Sequence, residues 1–237
     1  DVDAFKSFAT GHPDFRFLFV NDGSRDRTLE ILQELERYDP LAFKAHSVEK
    51  NGGKAAAVRV GVLRALDIPS SDFVAFWDAD LATPLDTVPE FTAILEARPE
   101  IQLVIGSRVN LLGRSIERKP VRHYLGRIAA TLASFTLRLS VYDTQCGAKM
   151  FRSNQETRDL FTEPFRTRWI FDIELLARLI KRRSQLALPP VTTAVYEHPL
   201  MVWRDVRGSN IKAGDFLKSF LELKIIRTHY LSRKQLN

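Results

Sequence analysis

Cysteine is almost missing: Cys146 is the only one in 237 residues. That excludes an intrachain disulfide and any multi-cysteine metal site, and it fits a reducing compartment. The five histidines are scattered, with no spacing that would ligate a metal. No run of 18 uncharged apolar residues occurs, so no segment is expected to span a bilayer. Repeats, low-complexity tracts and a dividing linker are also missing, so residues 1–237 are expected to form one domain. Charge of one sign is scarce in each half. Residues 1–100 carry 11 Lys/Arg against 18 Asp/Glu, a balance of −7, and the remainder carries 24 against 11, or +13. A basic half calls for anionic partners (nucleic acid, phosphorylated ligands or a membrane surface), or else is a solvated basic face.

What is present centres on Phe73-Val74-Ala75-Phe76-Trp77-Asp78-Ala79-Asp80. An apolar run of that length suits a strand covered on both faces. In open α/β sheets ligands bind beyond the carboxyl ends of strands, which is where Asp78 and Asp80 fall. Two carboxylates there repel unless they share a cation, and oxygen ligands suit Mg²⁺ or Mn²⁺. Asp-x-Asp alone is weak, since Asp1-Val2-Asp3 repeats it with no strand before it.

Strands are predicted at Phe15–Val20, Phe43–Val48, Phe73–Trp77 and Leu103–Ile105. Between them, apolar residues at helical spacing predict helices from Thr28 (capped by Ser24 or Asp26), from Ala55, and from Asp86 to Ala97. Strand–loop–helix units in series predict a doubly wound, mainly parallel or mixed α/β sheet with helices on both faces. Its loops at Asp22, at Asn51-Gly52-Gly53-Lys54 and at Asp78–Asp80 converge on one edge. Beyond residue 106 a helix is predicted from about Pro120. Leu125, Ile128, Ala129, Leu132, Phe135 and Leu139 form its apolar face, and Arg122, Arg127 and Arg138 lie around it. Such a helix can lie in a membrane interface or pack on the sheet. Further on, Trp169–Glu174 opens a helix to about Arg183, Val191–Tyr196 reads as a strand, and 213–230 as a last helix.

Several stretches together resemble one family. Val20-Asn21-Asp22-Gly23-Ser24, Asn51-Gly52-Gly53-Lys54, Asp78-Ala79-Asp80 and Gly106-Ser107-Arg108 resemble family-two inverting glycosyltransferases of the GT-A fold. Asp143-Thr144-Gln145-Cys146-Gly147, Arg168–Leu176 and Arg207-Gly208-Ser209 look most like dolichyl-phosphate glucosyltransferases, with polyprenyl-phosphate mannosyltransferases as cousins. Two departures stand out. The family's first strand, roughly Val-Ile-Pro-Ala-Tyr-Asn-Glu, has no counterpart before Phe15, so the fold is expected to lack it. Ala82 also stands where mannosyltransferases often carry a metal-ligating Gln, which favours glucose.

The resemblance implies a nucleotide-sugar half, 1–106, and an acceptor half, 107–237. Asp22, Asn51, Lys54, Asp78, Trp169, Arg207 and Ser209 would bind the nucleotide sugar, UDP-glucose being favoured. Asp80 with Asp78 would hold Mg²⁺ or Mn²⁺, and Arg108, Arg122 and Arg127 would hold the phosphate of a polyprenyl acceptor. Asp172 and Asp143 are the candidate general bases, or equally anchors for an arginine or a loop. Trp169 would stack on a sugar or fill the core, and Cys146 reads as a small buried residue rather than a nucleophile. The enzyme is expected to lie peripherally on the cytoplasmic face of a membrane. The competing readings are a same-fold transferase using GDP-mannose or a non-lipid acceptor, and a non-catalytic module for anionic lipid or nucleic acid. Nucleic acid is not expected, because aromatics do not interleave with the basic residues.

Overall fold

Asp1 starts the first helix, which sequence periodicity had not revealed: its carboxylate accepts the Ala4 amide at 3.1 Å and caps α1 (Val2–Gly11). The computed structural model describes residues 1–69, 71–117, 120–205 and 213–232, the side chains of 120–125 and 213–217 excepted. The first half continues with β1 (Phe17–Asn21), α2 (Thr28–Tyr38), β2 (Phe43–Ser47), α3 (Lys54–Leu66), β3 (Phe73–Trp77), α4 (Thr87–Ala97) and β4 (Leu103–Ser107). The second holds β5 (Ser115–Glu117), α5 (Pro120–Leu137), β6 (Ala148–Arg152), α6 (Gln155–Thr162), α7 (Phe171–Gln185), a 3₁₀ turn (Val191–Thr193), β7 (Val195–Pro199), β8 (Val202–Arg204) and α8 (Ala213–Tyr230). Asp26 rather than Ser24 receives the Thr28 amide at the start of α2. The strand expected at Val191–Tyr196 begins four residues late. Pro190 Oxygen accepts the Thr193 amide, which closes a turn before extension resumes at Val195.

The sheet is mixed. β6 lies antiparallel between β3 and β4, with Phe76 opposite Lys149 and Ile105 opposite the same lysine, and β7 runs parallel to β4. Alternate residues feed separate cores on the two faces. Val74, Phe76, Leu103, Ile105 and Phe151 pack with α3, α5, α6, α7 and α8. Phe73, Trp77, Val104, Ala148 and Met150 pack with α1 and α4. Both clusters reach β3, which is why the run at 73–77 shows no polar alternation, although Ala75 at its centre is exposed.

β1 pairs only with β2, in parallel, and β3 only with β6, so among the described residues no strand joins β1 to β3. Helix α3 packs against both. It lies so close to β1 that a Cβ on Gly61 would fall 2.9 Å from Val20 Cγ2. On the other face, Phe17 and Phe19 share a cluster with Phe73 and Trp77. Every residue of β4 is buried, whereas β1 is mostly half-buried.

A buried carboxylate ties the second half together. Glu174, fully buried, accepts the Arg166 amide (3.0 Å), the Thr167 amide and hydroxyl (2.8 Å each), the Tyr230 hydroxyl (2.8 Å) and Arg178 Nη2 (2.8 Å). Arg178 spends its remaining donors on the carbonyls of Leu160, Glu163 and Pro164. Burial pushes the Glu174 carboxyl up, but the Arg166 amide, Tyr230, Thr167 and the Arg178 charge outweigh it and hold it below its ordinary value of 4.5. Such a group stabilises fully above its unfolded value and loses that contribution as pH falls through the folded one. Glu174→Gln should therefore lower the stability read by chemical denaturation by about 3 kcal/mol, because it strands the Arg178 charge. It should also remove part of the stability loss seen on acidification below pH 4.5. Hydrogen exchange should find the amides of β4 and β6, flanked on both sides, about tenfold or more slower than those on the open edges of β1 and β3.

Candidate active site

β3 ends in a tight turn that presents two carboxylates. The Asp78 amide donates to Gly147 oxygen (2.9 Å), Leu81 donates back to Asp78 oxygen (3.1 Å), and the Ala82 amide donates to Asp80 Oδ1 (3.0 Å). Leu81 adopts φ 55, left-handed backbone that a branched residue takes only when its surroundings enforce it. Asp78 Oδ1 lies 2.5 Å from Lys54 Nζ. Lys54 opens α3 just after Gly53, whose φ of 82 suits glycine. Asp22 organises that loop: its carboxylate accepts the Gly52 amide (2.8 Å) and the Gly53 amide (2.7 Å), and its carbonyl accepts Asn51 Nδ2 (2.6 Å). Asp22, Asn51, Lys54 and Asp78 thus form one connected edge, as the converging loops had implied. Burial pulls the Lys54 ammonium down, yet Asp78, then Asp172 and Asp80, raise it above its ordinary value, so it stays charged.

The donor set fits a hard divalent cation. Asp78 and Asp80 offer only oxygens, and Mg²⁺ or Mn²⁺ is commonly held by one or two carboxylates with phosphates completing the shell. Among the described residues no group of three or more His, Cys, Asp or Glu exists to form a closed protein cage. Ala82 is buried and has no ligand atom to add. Gly147 lets Asp78 in: a Cβ there would fall 2.0 Å from Asp78 Oδ2.

The opposite wall is basic. Arg108 grips Asp143 through Nε–Oδ2 (2.6 Å) and Nη2–Oδ1 (2.8 Å), and its amide also donates to Oδ2 (3.1 Å). Burial pulls the Arg108 guanidinium down, but Asp143 raises it well above its usual value. Glu197 holds this wall from behind, accepting the amides of Tyr142 (2.9 Å) and Asp143 (2.6 Å). Arg127 stacks 3.7 Å over the Tyr142 ring and donates to Tyr142 oxygen at 3.2 Å. Arg108, Arg127, Tyr142, Asp143, Thr144 and Gln145 line a small open cleft. Arg122 lies on α5, with its side chain outside the described residues, as do Arg207 and Ser209 altogether.

The start of α7 supplies the remaining candidates. Trp169 is 47% exposed, so it is not a core residue. Its loop is held from α8: Glu222 accepts the amides of Arg168 (3.1 Å), Trp169 (3.2 Å) and Ile170 (3.1 Å), just ahead of α7. Asp172 is buried and sits 2.5 Å from Lys149 Nζ. Cys146 is buried as expected, and burial pushes its thiol up, away from nucleophilic use. Sequence reading missed Lys149, Glu197 and Glu222, which act through contacts 23 to 55 residues away in the chain. Only Lys149 left a trace, as a charge inside Ala148-Lys149-Met150-Phe151.

Comparison with known proteins shows the family and the fold. A family model described as Glycosyl transferase family 2 matches residues 2–156. A dolichyl-phosphate beta-glucosyltransferase of Trichomonas vaginalis is 30% identical over 228 residues, covering 94% of this chain and 63% of the relative. One of Saccharomyces cerevisiae is 29% identical over 235 residues, covering 92% and 65%. The chain thus spans less than two thirds of the length of these relatives. Glucosyl-3-phosphoglycerate synthase of Mycobacterium tuberculosis, in complex with Mn²⁺, UDP-glucose and phosphoglyceric acid, superposes with TM-score 0.60 at 20% identity, covering 91% of this chain and 70% of that one. At that identity the likeness establishes the α/β GT-A-like fold.

Gly147→Ala should fold, since only the short Asp78 side chain must swing away, but it should break the Asp78–Lys54 pair. Titration with Mn²⁺ in the presence of UDP should show affinity weakened by about 10–100-fold, as for lost support of a metal ligand. Unchanged affinity would mean that Asp78 does not hold the cation.

Proposed function

Because the chain belongs to glycosyl transferase family 2, we propose that it transfers glucose from UDP-glucose, with inversion, to a polyprenyl phosphate at a membrane surface. One observation carries this reading: the segment Asp143–Gly147 touches both walls of the site. Asp143 clamps Arg108, and four residues on Gly147 underlies Asp78. A site for two anionic substrates needs cationic counterparts close together but separate, and this segment supplies that spacing.

Asp78 and Asp80 would hold Mg²⁺ or Mn²⁺, which when bound neutralises the charge that develops on the departing diphosphate. Lys54 adds a fixed positive charge on the same side, and Arg207 and Ser209 are assigned to close over the diphosphate. Asp22 shapes the loop at Asn51–Gly53 for the nucleotide, and Trp169, exposed at the start of α7, offers a ring for the sugar face. Arg108 and Arg127, with Arg122, hold the acceptor phosphate in the cleft. That phosphate is already an anion at neutral pH, so attack on the anomeric carbon needs little help from a general base. Asp143 accordingly serves as the anchor of Arg108, and Asp172 is left as the carboxylate nearest the sugar side. The relatives named dolichyl-phosphate beta-glucosyltransferase and the absence of a ligand atom on Ala82 favour glucose over mannose.

The surface of α5 supports a lipid acceptor. Ala133 and Leu137 point into the core, yet Ile128 and Phe135, seven residues apart on the other side, are 52% and 78% exposed. Leu221 and Ile225 are exposed on α8, which packs against α5. Arg138 and Lys224 are among the basic residues on these helices and their ends. A helix apolar on both sides suits an interfacial position better than simple packing on the sheet. No helix among the described residues is long and apolar enough to cross a membrane.

The decisive assay supplies labelled UDP-glucose, GDP-mannose or UDP-GlcNAc with polyprenyl phosphate and Mn²⁺ or Mg²⁺. Label from UDP-glucose alone should enter the organic phase. Label from GDP-mannose would favour the mannosyl reading, and transfer only to a water-soluble acceptor would remove the lipid. Asp80→Asn should lower the rate about 100-fold or more; transfer at the parent rate would refute the metal role. Phe135→Glu should reduce co-sedimentation with anionic vesicles about tenfold while leaving the midpoint of unfolding nearly unchanged.

A further inference from the structure

Lys149 is a charge in a place built for hydrocarbon. It sits at the centre of β6, between Phe76 on β3 and Ile105 on β4, and it is fully buried. Its neighbours on that face, Phe76, Ile105 and Phe151, belong to the larger apolar core. Its ammonium lies 5.3 Å over the Phe76 ring, donates to Cys146 oxygen at 2.7 Å, and meets Asp172 Oδ1 at 2.5 Å. A buried ion pair is seldom the most stable filling for such a site, since apolar residues of similar volume often serve as well or better. Its retention here calls for another account.

That account lies at the other end of the pair. Asp172 occupies the first turn of α7, three residues after Trp169. The start of α7 borders the acidic wall, since a Cβ on Gly53 would fall 3.4 Å from Arg168 Nη2, and Lys149 also holds the Cys146 carbonyl in the segment that joins the two walls. Oδ1 is engaged by Lys149, while no described residue donates to Oδ2. Lys149 itself is sealed from solvent, its polar partners being Asp172 and the Cys146 carbonyl. We propose that Lys149 is a positioning residue: it fixes one oxygen of Asp172, so that the other is presented to the reacting sugar. The inference rests on the transferase reading above and adds to it a buried support for the reaction centre.

Nucleotide binding and transfer separate this role from a merely structural one. Lys149→Met should lower kcat about 30-fold, while the Kd and stoichiometry for UDP, which report the folded fraction, change less than about twofold. Asp172→Asn should show the same split. The double variant Lys149→Met/Asp172→Asn should transfer no more slowly than Asp172→Asn alone, because residues acting as one unit are not additive. Transfer by Lys149→Met within twofold of the parent would overturn the proposal, as would a double variant slowed by the product of the two single effects. If Lys149→Met does not fold, Lys149→Met/Asp172→Leu, which removes both charges, replaces it. Transfer near the parent rate then overturns the inference, and a fall to the Asp172→Asn level supports it. A parent protein that binds UDP but transfers hexose from no donor would instead refute the transferase reading, and this inference with it.

Discussion

The Glu174 carboxylate is the fixed point around which the second half of the molecule is arranged. Taking one carboxylate out of water costs several kcal/mol, and only a full set of donors offsets that. Here the set comes from the Arg166–Thr167 loop, from Arg178 one turn along α7, and from Tyr230 near the end of α8. Each donor belongs to a piece of chain that would otherwise be free to shift. With α7 held in this way, Asp172 in its first turn is buried while Trp169 in the loop before it stays exposed. Glu222 completes the arrangement by holding that loop from α8. The helix that exposes Leu221 and Ile225 therefore also orients the loop that carries Trp169.

The site itself is a problem of opposite charges kept close without cancelling. Lys54 on Asp78 and Arg108 on Asp143 are each paired within their own wall. The acidic wall leaves Asp80 exposed and free of any ion pair with a described residue, as the proposed cation role would require. On the basic wall, the guanidinium of Arg127 is held over Tyr142 rather than by a carboxylate, so its charge remains available to an anion. Gly147 makes the closeness possible, because any larger residue would occupy the volume of the Asp78 carboxylate.

Sequence reading recovered the elements whose burial is simple. An apolar run identified Phe73–Trp77, which feeds clusters on both faces of the sheet although its Ala75 is exposed, and helical periodicity gave 213–230 to the residue. It failed where one residue does two jobs. Lys149 interrupts β6 with a charge, and the strand was passed over although it pairs on both sides. The apolar face predicted for α5 proved partly the outer one, because spacing alone does not distinguish a core face from a lipid face. Loop positions for Asp22, Asn51, Lys54 and Asp78 were legible from turn residues after strands. Glu197 and Glu222, which hold the backbone of Tyr142–Asp143 and of Arg168–Ile170, were not, since acidic residues in a strand or on a helix surface look the same whether or not a distant backbone needs them.

The split in the sheet bears directly on the site. Asp22 and the loop it shapes stand on the β1 side, whereas Asp78 and Asp80 stand on the β3 side. No described backbone ladder crosses between them. Alignment of the two sides rests on α3, which packs on both strands and sends Lys54 from its first turn to Asp78, and on the phenylalanines of β1 that share a cluster with Phe73 and Trp77. Packing and one ion pair are softer than a hydrogen-bonded ladder, so among the described residues the Asp22 side is coupled to the Asp78–Asp80 side less firmly than β4 is to β6. A ligand that touched both sides, as the proposed nucleotide diphosphate would, has to fix that alignment and pays for the ordering in affinity. Any strand inserted between β1 and β3 would assume that task in advance, leaving more of the binding free energy for the substrate itself.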